Sequence, residues 1–188
     1  ACLKPENFVA ASPLSDRVEL SWIKKGTAAD WKISVQIPGT ESPVWVELNT
    51  VNVNAADCQI VEDTVTYLLT GLLPEMEYRF TLQADCGEAD GLSKLATDIP
   101  SIFPLSNNTE IYSMEITSAE VFDYALDRDA KTIDLVVRKG SDLEAMYGNI
   151  IPEDGNAQIR INGEDFTQPW NLSAPVTVTV LAQDTTVT

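Results

Sequence analysis

Hydrophobic and polar side chains alternate through most of this chain with a period of two. Tyr78, Phe80, Leu82, Ala84 and Cys86 are interleaved with Arg79, Thr81, Gln83 and Asp85. On a pleated strand that order sends one set to a core and the other to water. The same reading predicts strands at residues 7–10, 17–22, 31–37, 44–48 and 64–69, and a weaker one at 92–97. Val18, Leu20 and Trp22 share one face of the second, and Val65, Tyr67 and Leu69 one face of the fifth. In the fourth, Val44, Val46 and Leu48 lie on one side and Trp45 and Glu47 on the other, so an edge position exposes Trp45. Pro38-Gly39 ends the third strand.

Residues 98–109, Asp98-Ile-Pro-Ser-Ile-Phe-Pro-Leu-Ser-Asn-Asn-Thr109, carry two prolines and a polar cluster, the punctuation of a domain boundary. Ile102, Phe103 and Leu105 are too apolar for a free tether, which predicts a semi-rigid linker packed at a domain interface. Beyond it, strands are expected at 113–118, 131–137, 157–161 and 175–182, the last with Val176, Val178, Val180 and Ala182 inward. Asn162-Gly163 signals a tight hairpin turn. Gly140-Ser-Asp-Leu-Glu-Ala-Met146 reads as one or two helical turns capped by Ser141 or Asp142. The expectation is an all-β chain of two tandem β-sandwich domains, residues 1–99 and 111–188, joined by residues 100–110.

Composition narrows the chemistry. The 188 residues suit two domains, and 44% hydrophobic content fits a folded chain. Apolar runs fall well short of the ~20 residues that span a bilayer. Twelve basic against 29 acidic residues give a net charge of −17, which repels phosphate backbones and argues against nucleic-acid partners. Histidine is absent, which removes imidazole general bases, Ser-His-Asp and Cys-His catalysis and His-ligated zinc. No cofactor motif is present.

The remaining candidates are few. Asp127-Arg-Asp129, with Asp123 or Asp134 nearby, offers oxygen ligands but no complete calcium loop, and turn chemistry accounts for it and for Glu153-Asp-Gly-Asn156. A carboxylate pair for glycoside hydrolysis has no cleft signature, so no catalytic or metal residue is assigned. Trp45 and Trp170 are the candidate ligand-binding residues, as indoles offered to a sugar, against the alternatives of covering neighbouring strands or capping the second core. The three cysteines, 2, 58 and 86, have no zinc-like spacing. They leave open a Cys2–Cys86 bridge in an oxidising compartment, three separate thiols, or lipid on Cys2. Asn107-Asn-Thr109 and Asn171-Leu-Ser173 fit the N-glycosylation triplet, which matters only in a eukaryotic secretory pathway.

Leu72, Pro74 and Tyr78 have the spacing of a tyrosine corner. Together with Phe80, Leu82, Ala84 and Trp22 they resemble a fibronectin type III domain over about the first hundred residues. The span from Cys2-Leu-Lys-Pro-Glu-Asn-Phe8 to Ala84-Asp-Cys-Gly87 is similar to such modules in Bacteroidetes secreted proteins. That resemblance implies the Cys2–Cys86 bridge and leaves Cys58 over. Lys131-Thr-Ile-Asp-Leu-Val-Val137, Gly140-Ser-Asp-Leu143 and Asn171 to Asp184 resemble an immunoglobulin-like domain of Bacteroidetes surface lipoproteins. Members usually continue into a final strand of roughly six residues, whereas this chain stops at Thr188, which reads as a stunted or truncated last strand. The two resemblances imply a secreted or lipid-anchored, non-catalytic architectural module at the outer-membrane surface, in a glycan-acquisition setting. Its partners would be other domains of a longer surface protein, a protein bound by adhesion, or a polysaccharide bound by exposed Trp. Fold alone does not decide among them.

Overall fold

The computed structural model describes residues 1–187 and divides the chain into two compact units, Ala1–Leu105 and Ser106–Thr188. Thr188, the last residue of the segment 185–188, lies outside the described residues.

The first unit holds β1 (Glu6–Ala11), β2 (Arg17–Ile23), β3 (Asp30–Pro38), β4 (Trp45–Asn54), β5 (Gln59–Val61), β6 (Thr64–Thr70), β7 (Tyr78–Asp85) and β8 (Ser101–Ile102). Two four-stranded antiparallel sheets form, in the orders β1-β2-β6-β5 and β4-β3-β7-β8. This is a β-sandwich of fibronectin type III-like strand order. The alternation seen in the sequence is what builds it. Val18, Leu20 and Trp22 from one sheet and Trp31, Ile33, Phe80 and Leu82 from the other are all buried. Trp22 meets Trp31 edge-on with ring centroids 5.3 Å apart, and Phe8 meets Trp22 edge-on at 6.1 Å, the edge-to-face geometry that aromatic quadrupoles favour. The phenol oxygen of Tyr78, itself 1% exposed, accepts the Leu73 amide at 3.0 Å. The turn before β7 is thereby tied to the strand it feeds.

Three features of this unit differ from the sequence reading. Residues 92–97 form no strand. The segment follows β7 through separate bonds, Ser93 N–H to Ala84 O (2.9 Å), Ala96 N–H to Leu82 O (2.8 Å) and Phe80 N–H to Pro100 O (3.0 Å). The Ser93 hydroxyl accepts the Ala84 amide at 3.0 Å, standing where a strand carbonyl would, and Pro100 has no amide to offer. The regular edge pairing with β7 falls instead to β8, inside the stretch read as linker. Ile102 packs on the first core, the Pro104 carbonyl accepts the Glu75 amide, and Leu105 donates to Leu14 O. β4 is twice the expected length. A bulge at Val35/Gln36 resets its register, after which Val51 and Val53 turn to the core while Val44, Val46 and Leu48 stay about half exposed.

The second unit holds β9 (Ile111–Ile116), β10 (Val121–Asp127), β11 (Thr132–Val137), β12 (Gly148–Pro152), β13 (Gln158–Ile161), β14 (Glu164–Asp165) and β15 (Val178–Leu181). Its antiparallel pairings are β10-β11, β12-β9 and β14-β13-β15. Asn162 and Gly163 both have positive φ, 52° and 86°, the type I′ geometry that the Asn-Gly dipeptide favours between tightly paired strands. Ile116, Met146, Ile150 and Trp170 form a small buried centre. Residues 140–146 make turns and no helix. The Ser141 hydroxyl donates to Arg138 O at 2.8 Å and Asp142 accepts the Glu144 amide at 3.0 Å, so both expected caps satisfy local turns in place of a helix terminus. The strand expected over 175–182 pairs regularly only from Val178 to Leu181.

Candidate functional site

Cys2 and Cys86 are joined by a disulfide with Cα atoms 5.7 Å apart. β7 delivers Cys86 at its end, and the segment before β1 lays Cys2 beside it against the core. The bridge ties residues separated by 84 positions. Cys58 stays free and half-buried after the 3-10 turn Ala55–Asp57. Burial, then the Asp57 carboxylate, push its thiol up to about 11, which keeps it protonated and a poor nucleophile at neutral pH.

Trp45 begins β4 on the outer face of the sheet. The Arg79 guanidinium lies 4.6 Å from its ring centroid, so a cation covers one indole face. Arg79 also donates to Gln36 at 2.6 Å, Gln36 donates to the Ser34 hydroxyl at 3.3 Å, and Ser34 donates to Glu47 at 2.6 Å. Thr50 donates to the other Glu47 oxygen at 2.9 Å. The Ser34 hydrogen bond, and then that of Thr50, hold the Glu47 carboxyl below its ordinary value. These residues come together because β3 sits between β4 and β7 and sends Ser34 and Gln36 outward. The result is a polar, internally satisfied sheet surface with one half-exposed indole.

Trp170 takes a different place. It is 3% exposed, exchanges both backbone bonds with Met146 (2.7 and 2.8 Å), and packs against Phe166 with centroids 5.1 Å apart. Its indole is a core side chain of the second unit and is not offered as a surface platform. The acidic clusters serve turns. Asp127 accepts the Asp129 and Ala130 amides, Asp154 accepts the Asn156 amide, and Arg128 pairs with Glu110 at 3.4 Å and Glu153 at 2.9 Å. Among the described residues no three acidic or cysteine side chains converge as a cation site.

One feature went unread in the sequence. The second unit contains an open cleft of about 810 Å³. Met114 and Met146 lie in it, with Ile133, Leu135, Val178 and Val180 on its walls. Only the alternation of β11 and β15 hinted at it, by supplying more inward-facing aliphatic side chains than the small centre absorbs.

No family model matches the chain, and no curated protein matches it. Among solved structures, the chain is similar to the FN5 domain of Drosophila Lar, with 19% identity over 55% of this chain and 97% of that one and a TM-score of 0.41. It is similar to a myokine structure at 15% identity, covering 55% and 99%, with a TM-score of 0.40. It is also similar to the fn3 domain of human collagen alpha-1(XX) chain at 20% identity, covering 56% and 90%, with a TM-score of 0.40.

Proposed function

We propose that the chain is a non-catalytic, extracellular architectural module, a spacer that keeps its length under load. The observation that carries this is the Cys2–Cys86 bridge. Tension entering at the N-terminus passes through the disulfide to Cys86, so the residues between, which form β1 to β7, are bypassed. A bridge of this kind also belongs in an oxidising compartment. The finer setting rests on the sequence resemblances: a fibronectin type III-like module followed by an immunoglobulin-like one, within a secreted or lipid-anchored bacterial surface protein that serves glycan acquisition. Residues 1–99 and 111–188 are the modules of that reading.

Single-molecule stretching tests it. With the bridge intact, pulling the first unit by its ends releases only the chain after Cys86. Reduction frees the 84-residue loop, a gain of about 280–300 Å at ~3.3–3.6 Å per residue. An oxidised protein that extends as far as the reduced one overturns the spacer reading, as does a purified protein that hydrolyses glycans or esters.

A further inference from the structure

Beyond a spacer role, we propose that the cleft of the second unit is a strand-accepting site, filled by an extended polypeptide segment of another protein that is basic at its flanks and apolar at alternate positions. A sheet face shows every second residue to whatever covers it, whereas an unpaired edge shows all of them. Along β11 the consecutive residues 132–135, and along β15 the residues 178–180, border the cleft without a gap, as free strand edges do, and the non-strand segment 172–177 extends the second wall. The pairings agree. Among the described residues β11 pairs only with β10, and β15 only with β13.

The hydrogen-bond phase of β15 can be followed residue by residue. Asn162 donates to Thr177 O at 2.8 Å, and the register Arg160↔Thr179 continues that bonded phase. In an antiparallel ladder the alternate residues point away from the partner strand, so the amides of Val178 and Val180 face the free edge. Unpaired amides beside an apolar cavity are what a strand added from outside would satisfy. Side-chain specificity follows from the lining. Ile133, Leu135 and Val137 from β11 and Val176, Val178 and Val180 from the other wall recur at every second residue, so an occupant in register presents small β-branched side chains with the same period.

Charge selects the occupant's flanks. Residues 106–188 carry fourteen acidic and five basic side chains. The cleft lining carries Glu110, Asp127 and Asp134 against Lys131 and Arg128, and Arg128 is already held by Glu110 and Glu153. A lysine-flanked strand is attracted and an acidic one repelled.

The test uses the whole chain and a short capped peptide of alternating threonine and valine with lysine pairs at both ends, read by residue-resolved amide exchange. In the free protein the Val178 and Val180 amides exchange fast while Thr179 is protected. Peptide at saturating concentration slows Val178 and Val180 by about tenfold or more, and a glutamate-flanked version of the same peptide does so far less. Three outcomes overturn the proposal: no slowing at either valine, equal slowing by both peptides, or protection of both valines without peptide in step with protein concentration. The last makes a second copy the occupant. None of the three bears on the stretching result, because the Cys2–Cys86 bridge lies wholly in the other unit.

Discussion

Removing the Cys2–Cys86 bridge destabilises the first unit by an amount that follows from its loop length. In the chain-entropy account the cross-link confines the unfolded ensemble by about 2.1 + 1.5R ln n cal/mol/K, which for the loop of 84 is roughly 15 cal/mol/K, or about 4.5 kcal/mol at 25 °C. A domain of this size is stable by ~5–15 kcal/mol, so the reduced unit stays folded with a thin margin. The comparison sets Cys58→Ser against Cys58→Ser with Cys2→Ser and Cys86→Ser, so that thiol exchange plays no part. Urea unfolding is followed by indole emission, to which Trp22, Trp31 and Trp45 of the first unit contribute. With a urea slope of about 1.5–2 kcal/mol/M, the midpoint falls by roughly 2–3 M. The slope rises, because the open chain exposes more surface. A fall below about 0.5 M refutes the reasoning. It means either that the unfolded ensemble already holds the two ends together or that the folded bridge is strained enough to cancel its entropy.

Other perturbations separate packing from chemistry. Tyr78→Phe keeps the buried ring but removes the acceptor of the Leu73 amide, at a cost of about 1–2 kcal/mol read from the urea midpoint; a larger loss means the ring itself has moved. A Cβ at Gly148 would overlap the Glu115 carbonyl oxygen and crowd Ile116 in the β12-β9 pair, so Gly148→Ala should open the second unit to proteolysis while the first unit stays protected. Cys58 should react with a thiol reagent along a pH profile centred near 11. Because that value is raised, its contribution to stability is intact below the ordinary thiol range and is lost as pH rises through about 11. Glu47 has the opposite sign. Its depressed value makes its contribution complete above the ordinary carboxylate range and lost as pH falls through the lowered value, an effect absent in Ser34→Ala with Thr50→Val.

The first unit was largely legible because its signals are local. Alternation in β2, β3 and β7 marked the buried faces, with Thr81 of β7 the exception, a polar residue of the outer set that is buried, and the Leu72, Pro74 and Tyr78 spacing marked the turn into β7. Reading failed where a side chain replaced backbone. Ser93 accepts the amide that a strand carbonyl would have taken, so 92–97 looks like a strand and pairs as a loop. It also failed where a bulge changed phase. Val44, Val46 and Leu48 were assigned from an alternation that the extra residue in β4 breaks before it reaches the core. Trp45 was readable as an edge indole, but its cover was not. Arg79 sits thirty-four positions away and reaches it only because β3 holds β4 and β7 on either side.

The second unit shows why a candidate site can be invisible even when its residues are plain. Alternation specifies which way each side chain faces and says nothing about which strands become neighbours. Val178 and Val180 read as inward, and Ile133, Leu135 and Val137 alternate onto one face of their strand, which together suggest a filled interior. Among the described residues β11 and β15 each have one partner and one free edge, so Leu135, Val137 and Val178 pack on the buried centre with one side and line the cleft with the other, while Val180 is buried. The conflict between many inward aliphatic positions and a small buried centre of Ile116, Met146, Ile150 and Trp170 is itself informative. Apolar surface left even partly open to water is costly, and an unpaired strand edge beside it adds backbone donors and acceptors that want partners. A filling that satisfies both at once is an extended strand, because aliphatic packing alone would leave the Val178 and Val180 amides wet.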